Sequence, residues 1–387
     1  MKSMESPFEL PPDVLARVPL FAELSKVLSW RDGPVNWELA RQIAGSVAVG
    51  EDRVAPLGGA DHQEVTADIR IAELWLSETT GLAIPSHIVG ARAATPGDWA
   101  EHAAGAYTEL IEPIAAKVTR ALSDHAPQGE GPEAMMGRAV AQIVPMFMGM
   151  QVGTILGTLA REVTGSGDVA LPGSEGDVLI VTSAVDAVAA DYHLDPKQAR
   201  LWIALRETAR RMVYDGTGWV RGHFFGAYHN YVASMDIDLA AGIERLQQFD
   251  LSDPALLQEA LADETLFALE ASPQTAAAAS RVSGLLALID AYTDASVEAA
   301  FARAGDPAPL AEAFRRRAVS EGRGARMFGG FIGLEAPRNR RATATFVREV
   351  LASGGWGVLN RMVEDADSLP SDEEIGDPAA WRARTAR

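Results

Sequence analysis

Apolar residues recur along this chain every three or four positions, and residues that start or end helices separate the successive runs. Between Asp61 and Gly81 the apolar side chains follow this spacing, and Asp61 with Glu64 has the pattern of a capping box. Glycine is common just beyond the end of a helix. The sequence therefore predicts an amphipathic helix from Asp61 to Gly81.

Further helix starts consist of a capping side chain followed by proline. Proline suits the first turn of a helix because that turn does not use the missing N–H group. The helices predicted in this way begin at Thr95-Pro96 with a kink at Pro113, at Asp195-Pro196 with an end near Tyr214, at Ser272-Pro273 with an end at Gly305, and at Asp306-Pro307 with an end at Gly322.

Strand patterns are scarce by comparison. The best is the short segment from Asp177 to Val181, whose last four residues are all apolar. The predicted fold class is therefore mainly α, a multi-helix domain with little or no sheet.

One central segment could be either a membrane helix or a buried helix. The 22 residues 139–160 carry no formal charge, which is long enough to span a membrane, but they are only moderately apolar and no basic cluster flanks them. Three glycines at four-residue spacing allow close helix packing, within one chain or between two in an oligomer: Gly149, Gly153 and Gly157. We favour a buried helix rich in glycine and methionine, and consider a membrane segment unlikely.

Composition suggests a division of the chain into three parts. Residues 1–18 contain several prolines and scattered charges, so we expect a flexible N-terminal arm. Residues 19–165 are predicted to form an N-terminal helical half. A glycine-rich loop at 165–176 is the predicted hinge to a C-terminal half, residues 177–387, which contains helices at 196–214 and 273–304.

Charge and cysteine content exclude several classes of protein. The 387 residues include 34 basic and 53 acidic side chains, a formal net charge of −19, and no cysteine. Disulfide scaffolds, thiolate metal sites and cysteine nucleophiles are therefore excluded. The negative charge argues against nucleic acid as a partner. Because the N-terminal residues lack the apolar stretch of a secretory signal, we expect a cytoplasmic protein.

The seven histidines show no metal-binding spacing. None has a second histidine three or four residues away. His223 and His229 are six residues apart and point to different sides of a helix, so a regular helix cannot present both to one ion. The histidines alone therefore predict no metal site.

Residues 206–210, Arg-Glu-Thr-Ala-Arg, have the frame of the zincin motif HExxH with both histidines replaced by arginine. In that motif the two histidines share a helix face and bind zinc, and the glutamate polarises a zinc-bound water molecule. On spacing alone the segment fits an amphipathic helix with a charged flank equally well.

Seven separate segments, in a fixed order along nearly the whole chain, resemble one known family. They are 33–44 (GPVNWELARQIA), 148–153 (MGMQVG), 159–163 (LAREV), 205–210 with Gly218-Trp219, 285–294 (LLALIDAYTD), Leu369-Pro370, and 377–381 (DPAAW). The chain thus resembles the mainly actinobacterial zincin-like metallopeptidase type 2 family, whose members are described as hydrolases or zinc-dependent metalloproteases.

The resemblance implies a role for each residue of the motif. By it, Glu207 lies at the position of the catalytic glutamate and Asp290 at that of an acidic third zinc ligand. Arg206 and Arg210 lie at the two helical ligand positions. Some branches of the family have arginine at the first of these positions, whereas this chain has it at both. A guanidinium has only donors and stays protonated, so it cannot bind zinc.

We therefore hypothesise that ion pairs replace the metal. Arg206 and Arg210 carry two positive charges, and Glu207 and Asp290 carry two negative charges, so these side chains could balance one another without zinc. Arginine favours bidentate contact with carboxylates. The pairs would hold the helix that begins at Pro196 against the helix that contains Asp290. On this hypothesis we expect no cofactor.

Two functional hypotheses follow. The first is a catalytically inactive pseudo-metallopeptidase with a binding or structural role and an unknown protein or peptide partner. The alternative is an active hydrolase or peptidase with a divergent site that uses Glu207, Asp290 and Asp294, around zinc held by other ligands such as His223 and His229. Asp290 and Asp294 would share one helix face. A purely structural helical protein is a third possibility.

Overall fold

The computed structural model describes residues 33–50, 56–85, 90–125, 132–169, 171–173, 177–237, 269–270, 272–319, 322–334 and 339–386. The arm predicted at residues 1–18 lies outside them.

Helices dominate the described part of the chain, and the mainly α prediction is confirmed. In chain order they are α1 (Trp37–Val49), α2 (Gly59–Thr80), α3 (Pro96–Ala106), α4 (Thr108–His125), α5 (Pro132–Ala160), α6 (Thr182–Asp191), α7 (Pro196–Tyr214), α8 (Val220–Ser234), α9 (Pro273–Phe301), α10 (Ala308–Val319), α11 (Arg323–Ile332), α12 (Arg340–Leu359), α13 (Asp372–Ile375) and α14 (Pro378–Thr385). Two 3-10 turns, Asn360–Val363 and Ala366–Ser368, follow α12.

The capping residues predicted before proline do cap their helices. The side chains of Thr95, Asp195 and Ser272 each accept a hydrogen bond from the backbone N–H three residues later. Helix α2 differs from the prediction, because the Asp61 carboxylate accepts from the N–H of Gly58 and so lies inside the first turn. That helix therefore begins at Gly59, two residues earlier than predicted.

The helix predicted from Pro96 onward is two helices, because the chain is interrupted at Tyr107. Tyr107 ends α3 with its N–H bonded to the carbonyl of Ala103, and its own carbonyl accepts from Leu110 and Ile111 at the start of α4. The Tyr107 ring is buried against Trp99 and Phe328. Packing of this ring accounts for the position of the break, while Pro113 lies within α4.

Two small sheets accompany the helices. The predicted strand Asp177–Val181 (β2) pairs in parallel with Gly90–Ala94 (β1), a strand that the sequence did not predict. Asp236–Ile237 (β3) pairs with Leu269–Glu270 (β4) in an antiparallel manner. Alternate residues of β2 face two separate apolar cores: Leu179 and Val181 belong to one, and Val178 and Ile180 to the other.

Helix α5 contains the uncharged segment and packs directly against α1 within the same chain. A Cβ atom at Gly153 would lie 2.7 Å from the Ala40 carbonyl oxygen, and one at Gly157 would lie 2.7 Å from that of Ala44. The glycine stripe is therefore a close contact between two helices of the fold. Among the described residues, no helix has both the length and the apolar character needed to cross a membrane.

Candidate functional site

Helix α7 is enclosed on most sides, so its polar residues face other elements instead of solvent. It packs against α2, α6 and α9 and contacts β2. Glu207 and Arg210 are only 3% and 4% exposed. They face the segment 164–168, which we call the strap, and helix α9. The strap runs along the edge of β2, where Gly165 bridges to Ile180 in an antiparallel manner.

Backbone and side-chain hydrogen bonds hold the strap in place. The Ser166 N–H donates to the carbonyl of Leu179 at 3.0 Å, and the Leu179 N–H donates to Ser166 Oγ at 3.2 Å. The buried indole of Trp99 donates to the carbonyl of Gly165 at 3.0 Å. The strap is therefore fixed to β2 on one side and to α3 on another.

Glu207 is bound by the strap. Ser166 Oγ donates to Glu207 Oε2 at 2.8 Å, and the Gly167 N–H lies 2.9 Å from both carboxylate oxygens. Burial raises the pKa of Glu207 above its ordinary value, although the nearby Arg210 guanidinium and these hydrogen bonds oppose that shift.

Gly165 is required by this close approach, because a Cβ atom there would overlap Glu207 Oε1. At Gly167 a Cβ atom would lie 3.1 Å from Arg210 Nη1, a tight contact. The strap backbone therefore lies directly against Glu207 and Arg210.

Arg210 forms a buried ion pair with helix α9. Its Nη2 atom is 2.9 Å from Asp290 Oδ1, and Arg340 Nη2 is 3.8 Å from the other oxygen of Asp290. Burial opposes the charge of Arg210, but the carboxylates of Asp290, Glu207 and Asp168 outweigh it and raise the pKa of this guanidinium. The Nε and Nη1 atoms of Arg210 are buried without a hydrogen-bond acceptor.

Arg206 lies one turn away between two carboxylates. Its Nη1 is 3.7 Å from Asp168 Oδ1 in the strap, and its Nε is 3.9 Å from Asp294 Oδ1 on α9. Asp168 also accepts hydrogen bonds from the Thr164 N–H and hydroxyl. Burial opposes ionisation of Asp168, but Arg206, Arg317 and these hydrogen bonds together lower its pKa. Asp294 is largely exposed, with 61% of its side chain accessible.

A pocket opens beside Glu207 and Arg210. It is small and partly open to solvent, and its walls come from α3, the strap, residues 171–173, α7 and α8. The lining side chains are aromatic or basic, apart from Glu207 and small or aliphatic residues: Trp99, Tyr107, Tyr214, His102, Arg210, Arg211 and Arg221.

Zinc does not fit the side chains at the motif positions. The structure brings Arg206, Glu207, Arg210, Asp290 and Asp294 together, yet two of these five are guanidiniums, which offer no lone pair and repel a cation. His223 and His229 lie exposed on α8, where they contact aromatic rings. Within the described ranges, no group of three or more His, Cys, Asp or Glu side chains is arranged to hold a metal ion.

The sequence did not identify the strap residues as part of the site. Ser166, Gly167 and Asp168 fall in the glycine-rich loop that was interpreted as a hinge. The feature that could have identified them is the sequence Gly-Ser-Gly-Asp at 165–168. In it, glycines alternate with polar side chains that can bind the charged residues of a helix. The proposed domain boundary at this loop stays a prediction.

Comparison with known proteins assigns the family. A model of the zincin-like metallopeptidase family matches residues 35–381. A search of curated proteins finds no match to this chain. Among solved structures, a protein described as a "putative hydrolase with a novel fold" from Chloroflexus aurantiacus is 20% identical, with a TM-score of 0.65 over 91% of this chain and 99% of that one, which shows a shared fold. Because the family model spans most of its length, the chain belongs to the zincin-like metallopeptidase family.

Proposed function

We propose that this chain is a pseudo-metallopeptidase and a cytoplasmic member of the family. In it, arginine–carboxylate ion pairs replace the metal as the link between helices, and the site has a binding role. The observation that carries the proposal is the buried pair between Arg210 on α7 and Asp290 on α9. The resemblance places these residues where a helical ligand and the third ligand of zinc would lie. The ion pair joins the same two helices directly, through a 2.9 Å contact between Arg210 Nη2 and Asp290 Oδ1.

Charge balance supports the same proposal. Arg206 and Arg210 face Asp168 and Asp290, so two positive charges meet two negative ones. Asp168 thus takes the balancing role that the sequence suggested for Glu207. Glu207 lies outside these two pairs, and burial raises its pKa above the ordinary value.

The hydrogen bonds of Glu207 also argue against its use as a base. A general base must accept a proton from a water molecule or a substrate within hydrogen-bond reach. Here both carboxylate oxygens accept hydrogen bonds from Ser166 and Gly167. Glu207 therefore acts as an anchor for the strap. For the binding role we propose an unidentified protein or peptide as the partner.

The test restores zinc-binding side chains at positions 206 and 210. We expect the double variant Arg206→His, Arg210→His to gain about one zinc ion per chain, as a site with histidine and carboxylate ligands should. The unmodified chain and the matched control Arg206→Gln, Arg210→Gln should contain almost none, measured by elemental analysis of protein purified without chelators or a histidine tag. Near-stoichiometric zinc in the unmodified chain would refute the proposal.

The second candidate function is a hydrolase that uses Glu207 as its acid or base. The observation in its favour is that Glu207 lines the pocket and has a raised pKa, a combination typical of catalytic carboxyls. Asp290 and Asp294 would assist. Hydrolysis of peptide or ester libraries by the unmodified chain, abolished in Glu207→Gln and retained in an Asp61→Asn control, would establish this alternative.

A further inference from the structure

We propose that the pocket beside Glu207 and Arg210 binds the oxyanion group, carboxylate or phosphate, of a small ligand. This inference rests on the proposed function in one respect, because it requires arginine side chains and not a metal ion to form the inner wall. The inference adds the chemical class of the ligand that the site binds.

Fixed cationic groups line the pocket from two helices. Arg211 Nη1 is 3.1 Å from Asp215 Oδ2, Arg221 Nη2 is 2.6 Å from Asp215 Oδ1, and Arg221 Nη1 donates to the carbonyl of Gly173 at 2.7 Å. These contacts hold both guanidiniums in place. Prepositioned guanidiniums recognise carboxylate and phosphate groups without a large ordering cost.

Arg210 supplies unused hydrogen-bond donors at the inner end of the pocket. Its side chain is 4% exposed, and only its Nη2 is engaged, with Asp290. The buried Nε and Nη1 atoms have no acceptor. A buried donor without an acceptor is costly, so such groups call for an explanation, which a ligand oxygen provides. Arg210 also lines the pocket, so these donors lie at its wall, next to the backbone of Gly167.

The remaining walls suit a small apolar body attached to the anion. Trp99, Tyr107 and Tyr214 line the pocket with aromatic rings, and the space between these walls is small and partly open to solvent. A largely apolar pocket with a few fixed polar groups is the usual form of a small-molecule site. The ligand is therefore a small organic acid or phosphate ester.

The experiment is calorimetric titration of the full chain at constant ionic strength. The probes are inorganic phosphate, benzoate, and benzamide as a neutral molecule of the same shape as benzoate. We expect saturable binding of phosphate, benzoate or both at one site, and affinity for benzamide lower by about tenfold or more. Phosphate and benzoate together distinguish a phosphate ester from an organic acid as the natural ligand.

Two variants of different kinds test the location of the site. Arg221→Gln removes a cation and Ala106→Leu fills the pocket from the end of α3, and we expect each to weaken binding by about tenfold. Their matched controls, Arg341→Gln and Ala67→Leu, change exposed residues outside the pocket and should bind as the unmodified chain does. If Arg221→Gln fails to fold, Ala106→Leu still decides the question.

The proposal is overturned if neither anion binds saturably, if benzamide binds as well as benzoate, or if both pocket variants bind unchanged. Zinc analysis of the same sample separates this result from the proposed function. A zinc-free chain that binds no anion refutes only the anion site, whereas stoichiometric zinc refutes the pseudo-metallopeptidase itself.

Discussion

Gly165 illustrates how tightly the strap lies on Glu207. A methyl group there would overlap Glu207 Oε1, and neither the buried carboxylate nor the backbone bonded to Trp99 and β2 can move away easily. We expect Gly165→Ala to reduce the free energy of unfolding by about 1–3 kcal/mol through overpacking, measured by urea denaturation. Gly284→Ala is the control, because its Cβ atom would meet nothing within 4 Å and should be neutral or stabilising. Equal stability of both variants would contradict the close contact.

The raised pKa of Glu207 makes a prediction about pH. Because the folded chain holds the Glu207 proton more tightly than the unfolded chain, the stabilisation from protonated Glu207 is complete below its ordinary pKa and is lost as pH rises through its raised value. We expect the stability of the unmodified chain relative to Glu207→Gln to fall as pH rises from the ordinary pKa of glutamate, about 4, through the raised pKa of Glu207 in the folded chain. Urea denaturation at a series of pH values measures this. A difference that stays constant with pH would show that Glu207 is not perturbed.

Asp168 should behave in the opposite way. Its pKa is lowered, so its contribution to stability is present above its ordinary pKa and is lost as pH falls below it. Asp168→Asn should therefore be destabilising at neutral pH and approach the unmodified chain in acid, in the same denaturation series. A destabilisation that grows toward acid pH would rule out the pairing with Arg206.

At the scale of residues, the sequence indicated part of the site and missed the rest for a physical reason. The frame of Arg206, Glu207 and Arg210 was visible because residues three and four apart share a helix face. The place of Asp290 in the site was inferred from the family resemblance. Asp168 and Ser166 were missed because their role depends on the strap crossing α7, a contact between residues about 40 positions apart that local pattern does not contain.

At the scale of elements, the packing of α5 on α1 is the feature most open to test. A Cβ atom at Gly153 would lie 2.8 Å from Ile43 Cβ as well as close to the Ala40 carbonyl, so the two helices would have to separate. We expect Gly153→Ala to cost about 1–3 kcal/mol of unfolding free energy. A Cβ atom at Gly222 on α8 would meet nothing within 4 Å, so Gly222→Ala is the control. Thermal denaturation measures the stability of both variants. Unchanged stability in Gly153→Ala would contradict this packing.

Helices with strong local signals were predictable, whereas two features set by tertiary contact were not. Thr95, Asp195 and Ser272 fix helix starts through their own side chains, and those starts are correct. Strand β1 lacks β-branched residues and is a strand because β2 lies beside it. The break at Tyr107 likewise depends on the burial of its ring against distant residues.

At the scale of the whole molecule, α7 and α9 are the two elements that the site joins. One apolar core contains residues from Val35 to Trp381, so segments near both ends of the described chain contribute to it. A second core lies around α2, α6, α7 and the end of α9. The ion pairs join α7 and α9 at the residues to which the family resemblance assigns the zinc ligands. The central claim is that the pair of Arg210 and Asp290 holds these two helices together in place of the metal.

The measurement that tests this claim most directly is a double-mutant cycle of Arg210→Gln and Asp290→Asn, followed by urea denaturation. Because the pair is buried, we expect each single variant to lose about 3–5 kcal/mol of unfolding free energy, and we expect a coupling energy of about 2 kcal/mol between them. The exposed pair of Arg41 and Glu38 is the control and should couple by about 0.5 kcal/mol or less. A coupling between Arg210 and Asp290 no larger than that of the control would contradict the account.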